Sequence, residues 1–260
     1  MIAGLPTQLL SRIEDAGINA SAPTQQRWLD GWIVRFCPGK AKRARCINPV
    51  AAGLLPVESK LALSRAIYSD AGLPLFVRIT PFAQPAGLDA TLEALGFQCI
   101  DDTCVMVLPA IIPAEGAVPA GATFEALGSA AFAQLIGQLR GSPLAQRQAQ
   151  AHRLEQSPVP FHAFALKDAD GQVLACGQFA IEAELAGLYD VFTEPSQRGR
   201  RWAGVLCKQL LHQALLRGAR VAYLQVERNN EAARRVYRRL SFDDAYSYHY
   251  RCDTANIVTT

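Results

Sequence analysis

An α/β fold is predicted by two stretches in the second half of the chain. Residues 186–191 form an apolar run that reads as a strand, and after a short turn residues 202–216 read as a helix. Val221-Ala222-Tyr223-Leu224-Gln225-Val226 then reads as a buried strand, at the distance one βαβ unit needs. A second helix follows from Asn230. Its Ala233, Val236, Tyr237 and Leu240 share one face by their spacing, and the arginines take the other.

The neighbouring stretches extend this unit. Helices are expected over 124–139 and 144–156 and a strand over 162–167. Asp168-Ala169-Asp170-Gly171 makes a hairpin turn into a strand over 172–182, and the next strand runs over 186–193. A final strand is expected over 245–252. In the first half, 28–36 and 43–50 read as a hairpin, 58–71 as a helix, 75–79 as a buried strand, 88–95 as a helix and 104–108 as a closing strand. Residues 109–121, rich in proline and small side chains, read as a linker between domains 1–108 and 122–260.

Composition narrows the class. Half of the 260 residues are hydrophobic, which suits a globular core. A net charge of +3 does not argue for nucleic acid, and the clusters Lys40/Lys42/Arg43/Arg45 and Arg234/Arg235/Arg238/Arg239 read as solvated faces or as a surface near phosphates. No apolar run approaches a membrane span, and Met1 to Pro6 lack the basic and apolar regions of a secretory signal. Cys37, Cys46, Cys99, Cys104, Cys176, Cys207 and Cys252 contain no Cys-x-x-Cys pair and read as reduced, mostly buried thiols of a cytoplasmic protein. His152, His162, His212 and His249 have no metal-ligand spacing, so no metal is expected.

The turn from Phe192 to Gly204 carries the chemistry. A strand end followed by a helix start gathers free backbone N–H groups, and the helix dipole adds partial positive charge. Arg198, Arg200 and Arg201 in that turn suit a phosphate or pyrophosphate.

Two motifs give this reading a family. Arg198-Gly199-Arg200-Arg201-Trp202-Ala203 resembles the Arg/Gln-x-x-Gly-x-Gly/Ala cofactor motif of the GNAT superfamily of acyl-CoA N-acyltransferases, with Arg201 in place of the inner glycine. Asn230, Ala233, Tyr237, Leu240 and Phe242 resemble its later motif, with Ser241 in place of a glycine. The resemblance covers residues 161–251. In the first half only Leu95-Gly96-Phe97 matches, and Asn48-Pro49-Val50-Ala51-Ala52-Gly53 stands where the cofactor motif would be. The resemblance therefore implies a tandem GNAT chain: a central mixed sheet with splayed parallel strands flanked by helices, an active second half, and a first half that has lost acyl-CoA binding. An unrelated α+β first domain is the alternative.

The resemblance further implies acetyl-CoA as cosubstrate and an amine acceptor on a small molecule, peptide or protein, in a monomer or homodimer. Val191, Phe192 and Thr193 would pair with the pantetheine arm. Amides of Arg198, Gly199, Arg200, Arg201, Trp202, Ala203 and Gly204 would hold the pyrophosphate. Arg201 would either add charge there or crowd the loop. Tyr237 matches the general acid, or is a core tyrosine. Asn230 contacts the cofactor or caps its helix. Asp190 and Glu182 are the foremost candidate bases, ahead of Tyr189, Glu184 and Glu227; each carboxylate is also a plain surface group. A non-catalytic acyl-CoA-binding module and a purely structural tandem are the competing functions.

Overall fold

The computed structural model describes residues 5–37, 41–113 and 118–253. Residues 1–4, Lys40 and the middle of the expected linker, 114–117, lie outside them. The elements are α1 (Thr7–Ala20), β1 (Gln26–Leu29), β2 (Trp32–Arg35), β3 (Ile47–Pro49), α2 (Val57–Asp70), β4 (Phe76–Ile79), α3 (Leu88–Ala94) and β5 (Gln98–Leu108). They continue with β6 (Ala122–Leu127), α4 (Ser129–Leu139), α5 (Leu144–Glu155), β7 (Phe161–Asp168), β8 (Val173–Glu182), β9 (Leu185–Thr193), α6 (Trp202–Leu216), β10 (Val221–Glu227), α7 (Glu231–Arg238) and β11 (Asp243–Cys252).

The same order stands twice: two antiparallel strands, a third strand, helix, strand, helix, strand. It is β1-β2-β3-α2-β4-α3-β5 in one repeat and β7-β8-β9-α6-β10-α7-β11 in the other. Both repeats end the second helix on a left-handed residue, Gly96 (φ 85°) and Ser241 (φ 65°). The following Phe97 and Phe242 are buried. Serine thus adopts the conformation for which glycine is ordinarily chosen.

The chain forms two compact units, each discontinuous in sequence. One holds the described residues of 1–20 with 105–245, the other 21–104 with the described residues of 246–260. In the first, strand order is β5-β10-β9-β8-β7-β6, with β9 and β10 parallel and β6 to β9 successively antiparallel. In the second it is β1-β2-β3-β4-β11, with β3 and β4 parallel. Each repeat's closing strand therefore completes the sheet that holds the other repeat's parallel pair.

Four expectations need correction. Residues 124–127 are strand: Phe124 alternates with exposed neighbours and stacks on Phe164 at 4.6 Å. The stretch 28–36 is itself a hairpin, because Asp30 (φ 43°) and Gly31 (φ 85°) turn the chain. Only 47–49 of 43–50 is strand, after a 3₁₀ turn at Lys42–Ala44. Arg234, read as solvated, is 5% exposed and donates to Asp244 at 2.7 Å. Tyr246, Tyr248 and Tyr250 are buried alternate residues of β11.

In the second unit, the segment between β3 and α2 wraps the Asp30 side chain. Its carboxylate accepts from the Leu54 N–H (2.9 Å) and the Leu55 N–H (2.7 Å), and pairs at 3.0 Å with the fully buried Lys60 ammonium. Lys60 also donates to the Asp30 and Ala52 carbonyls and lies over the Trp32 ring. Gly53 is required there, since a Cβ would meet the Asp30 carbonyl at 2.1 Å. The amide bonds, foremost, and Lys60 hold the Asp30 pKa below its ordinary value. Either variant leaves the buried Lys60 without its anion, but Asp30→Asn keeps a side-chain oxygen for the Leu54 and Leu55 amides, so Asp30→Ala should lower the melting temperature more. The carboxylate's contribution is fully present above the unfolded-state value of about 3.9 and is lost as pH falls through the lower folded one. Thermal melts from pH 6 to pH 2 check this: the gap between wild type and Asp30→Ala should close at the acid end.

Candidate functional site

The site begins with an interrupted ladder. β9 and β10 pair from Leu185 with Val221 to Leu188 with Leu224, and no further. The cause is a bulge in β9. Gln178 of β8 faces Tyr189, but Cys176 faces Phe192, so Asp190 and Val191 stand against one residue of β8. Asp190 carries the bulge at φ 52°, a conformation that costs a non-glycine residue about 1 kcal/mol or more. The bulge bends β9, and beyond it 189–193 and 225–227 flank an opening.

Side-chain bonds hold Asp190 there. Arg140 Nη1 of the segment after α4 donates to Oδ1 at 2.7 Å, while Gln178 Nε2 (2.9 Å) and Gln150 Nε2 of α5 (3.4 Å) donate to Oδ2. Gln178 is 1% exposed, and its Oε1 has no donor partner.

The turn after β9 presents its amides. Glu194 accepts from the Ser196 N–H at 2.7 Å and starts a 3₁₀ turn at Pro195–Gln197. Gly199 (φ 80°) and Arg201 (φ 66°) are both left-handed and alternate with ordinary residues. Successive N–H groups in such a segment point to one side, forming an anion-binding concavity. Among the described residues nothing accepts from the N–H groups of Gly199, Arg200, Arg201, Trp202 or Ala203, whereas those of Gly204 and Val205 bond to the Arg201 carbonyl. The buried Trp202 Nε1 is likewise without an acceptor. These orphans fit an anionic ligand such as a pyrophosphate.

Arg201 lines an open groove of about 530 Å³ between α6 and α7, with Gly204, Val205, Lys208, Val236, Arg239 and Leu240. Its place at the N-cap of α6 demands the φ value that glycine would supply at no cost. Arg198 lies 5.7 Å from the centre of the Phe192 ring.

Asn230 caps α7: its Oδ1 accepts from the Ala233 N–H at 3.1 Å. Tyr237 on the same helix is 9% exposed and packs edge-on against Phe242 at 6.0 Å. Burial raises its pKa well above 10, and the nearby Cys207 thiol adds to the effect. The phenol is therefore a proton donor across the physiological range. Cys207 is itself pushed up to about 12 by burial, which makes it an inert thiol.

The structure brings Asp190, Val191, Phe192 and Thr193 to the opening and the turn 198–204 to its rim, but not Glu182. Glu182 pairs with Leu185, at the opposite end of β9 from the bulge, and accepts from Asn19 Nδ2 at 3.0 Å. It raises the pKa of Asp15 on α1, behind burial and Glu14. Between Glu182 and the opening, Ala180 is packed with Ala20 and Val159. Arg140, Gln150 and Gln178 escaped the sequence reading. The one signal for them was a lone amide, Gln178, inside an apolar strand. No group of three or more metal-binding side chains stands among the described residues, and no described helix is long and apolar enough to cross a membrane.

The model of the Acetyltransferase (GNAT) family matches residues 131–242. An uncharacterised N-acetyltransferase of Bacillus subtilis (strain 168), YobR, is 25% identical over 232 residues, covering 87% of this chain and 91% of its own. A GCN5-related N-acetyltransferase from Kribbella flavida superposes with a TM-score of 0.69 at 17% identity, over 95% of this chain and 96% of its own. A tandem GNAT protein from the clavulanic acid biosynthesis pathway superposes at 0.63 and 17% identity, over 75% and 69% respectively. At these identities the two structures establish the fold alone, a tandem GNAT arrangement.

The floor beside the opening is tightly built. Tyr189 and Tyr223 join their hydroxyls at 3.0 Å above Gly187, where a Cβ would stand 2.6 Å from Tyr223 Cζ and 2.7 Å from Tyr189 Cε2. Gly187→Ala must displace both rings, at a cost of about 1–3 kcal/mol. Urea denaturation should show the lower midpoint with an unchanged slope.

Proposed function

We propose, for a chain whose residues 131–242 match the model of the GNAT acetyltransferase family, that the unit containing β9 and β10 transfers an acetyl group from acetyl-CoA to a primary amine. The observation that carries this reading is the row of uncommitted amides from Gly199 to Ala203, at the rim of the opening between the two strands. Orphan donors at a helix N-terminus suit a pyrophosphate. Arg201, Lys208 and Arg239 in the adjoining groove suit a further phosphate on the nucleotide.

Bound acetyl-CoA supplies the thioester carbon and a thiolate leaving group. The chain supplies alignment and charge. The backbone edge of Val191 to Thr193, unpaired on the β10 side, would hold the pantetheine amides, and the Val191 N–H region would polarise the carbonyl. As the amine nitrogen bonds to the acyl carbon and the carbon–sulfur bond breaks, Tyr237 would donate its proton to the sulfur. The amine's surplus proton would pass to water. Asp190 is a poor recipient, because Arg140, Gln150 and Gln178 already occupy both of its oxygens. We assign it to holding the bulge, and Glu182 to anchoring α1.

The second unit would not bind the cosubstrate. The amides of Leu54 and Leu55, before α2, are already taken by Asp30. A non-catalytic acyl-CoA-binding module is the second reading, favoured by the engagement of Asp190 by Arg140, Gln150 and Gln178.

Isothermal titration should give one acetyl-CoA per chain with micromolar affinity. A double variant, Arg198→Ala with Gly199→Asp, places a carboxylate among the amides and should weaken binding tenfold or more; no binding by wild type would end this reading. Tyr237→Phe should lower kcat about a hundredfold while acetyl-CoA affinity is kept; equal turnover would remove the phenol from the chemistry. Because burial raises the Tyr237 pKa, kcat/KM should climb with pH along the amine's own ionisation and show no descending limb below about pH 10.

A further inference from the structure

We infer that Tyr189 sets the length of the acyl group: its ring closes the end of the opening toward which the thioester points, so that acetyl is accepted while butyryl and longer chains are turned away. The inference rests on the proposed binding of acyl-CoA along β9. The direction follows from the turn. A cosubstrate with its pyrophosphate on the amides of 199–203 and its pantetheine arm along Val191 to Thr193 runs against the chain direction of β9. Its acyl end therefore points back toward Asp190 and Tyr189, where β9 and β10 come together at Leu188 and Leu224.

The surroundings limit where an alkyl chain can go. On the α6 side Val191, Leu206 and Leu210 all lie within 3.3 Å of the place that a Cβ on Gly177 would take, so that layer is already filled. On the opposite face the Asp190 carboxylate is bonded to Arg140, Gln150 and Gln178, a polar group that an aliphatic chain does not replace. Tyr189 stands beside it, the last residue before the bulge. It is half-buried, as are Asp190 and Val191, so this face of the strand is reachable. Its ring is held by neighbours: the hydroxyl joins that of Tyr223 at 3.0 Å, and the ring lies edge-on to Tyr223 at 6.3 Å and 5.6 Å from Phe161. Behind it lie short side chains, Ala20, Val159 and Ala180, against which Tyr189 packs. The ring thus stands between the acyl end and an apolar cluster that could otherwise take a longer chain. In such a cluster each methylene withdrawn from water tightens binding about fourfold, so affinity would climb with chain length. A ring fixed in the way reverses that order, because a longer chain must displace it.

Isothermal titration of the whole chain with acetyl-CoA, butyryl-CoA and hexanoyl-CoA tests this without an acceptor. Wild type should bind acetyl-CoA about tenfold or more tightly than hexanoyl-CoA. Tyr189→Ala should bring the two within about twofold or invert them, through a gain for hexanoyl-CoA. Tyr189→Phe keeps the ring and should keep the wild-type order. An unchanged ratio in Tyr189→Ala, or an equal loss for every acyl-CoA, would make the ring merely structural and overturn the inference. Should Tyr189→Ala fail to fold, wild type alone decides: affinity that stays level or rises from acetyl to hexanoyl overturns the inference and leaves the cosubstrate site standing. No binding of any acyl-CoA removes both.

Discussion

The bonds that hold the Asp190 carboxylate are the constraint on which the site depends. Without them the bulge in β9 would be an unfavourable left-handed aspartate in a strand with a regular alternative. One residue fewer would restore the pairing of 189–193 with β8 and let β9 run on beside β10. Arg140, Gln150 and Gln178 reach Asp190 from after α4, from α5 and from β8. The bulge is therefore fixed by the packing of the layer over the strands. The ion pair is partly exposed, with side-chain exposures of 39% for Arg140 and 21% for Asp190, so solvent screens it. Its value lies in fixing direction more than in stability.

The two repeats answer one local problem in opposite ways. A strand followed by a turn and a helix leaves N–H groups without acceptors. Between β3 and α2 an internal carboxylate, Asp30, fills that need, and the buried Lys60 neutralises it in turn. Between β9 and α6 the Glu194 carboxylate takes only the Ser196 N–H, and the N–H groups of 199–203 have no acceptor among the described residues. A saturated turn contributes to stability and an unsaturated one to binding. The contrast gives a physical reason why, on the proposed reading, a repeated topology would carry one site rather than two, independent of motif matching.

Much of this was legible in the sequence where one residue pattern decides one element. The strand 221–226 and the helix 202–216 were set by apolar periodicity, and the resemblance of 198–203 and 230–242 to family motifs located the turn and Tyr237. Elements were misread where the decisive partner is distant. Residues 124–127 carry no strand pattern strong enough to outweigh the helix behind them; what makes them a strand is β7, and in particular Phe164 under Phe124. α1 was missed although Leu10, Ile13 and Gly17 fall at helical spacing, because no flanking motif drew attention to it. The exchange of closing strands is a property of pairing that no local window contains. Asp190 was singled out for its position, yet its bonding to Arg140, 50 residues away, follows only from the fold.

These observations divide the charged groups of the site by what they can still do. Asp190 and Glu182 are engaged by arginine and amide donors, and Tyr237 and Cys207 are held protonated by burial. Among the described residues of the turn, the groups left uncommitted are donors, the amides of 199–203 and the Trp202 indole. Donors gathered at a helix start call for an anion. Beside them the bulge interrupts the pairing of two strands. The unsatisfied donors of the turn thus carry the polarity that the proposed phosphate-bearing cosubstrate requires.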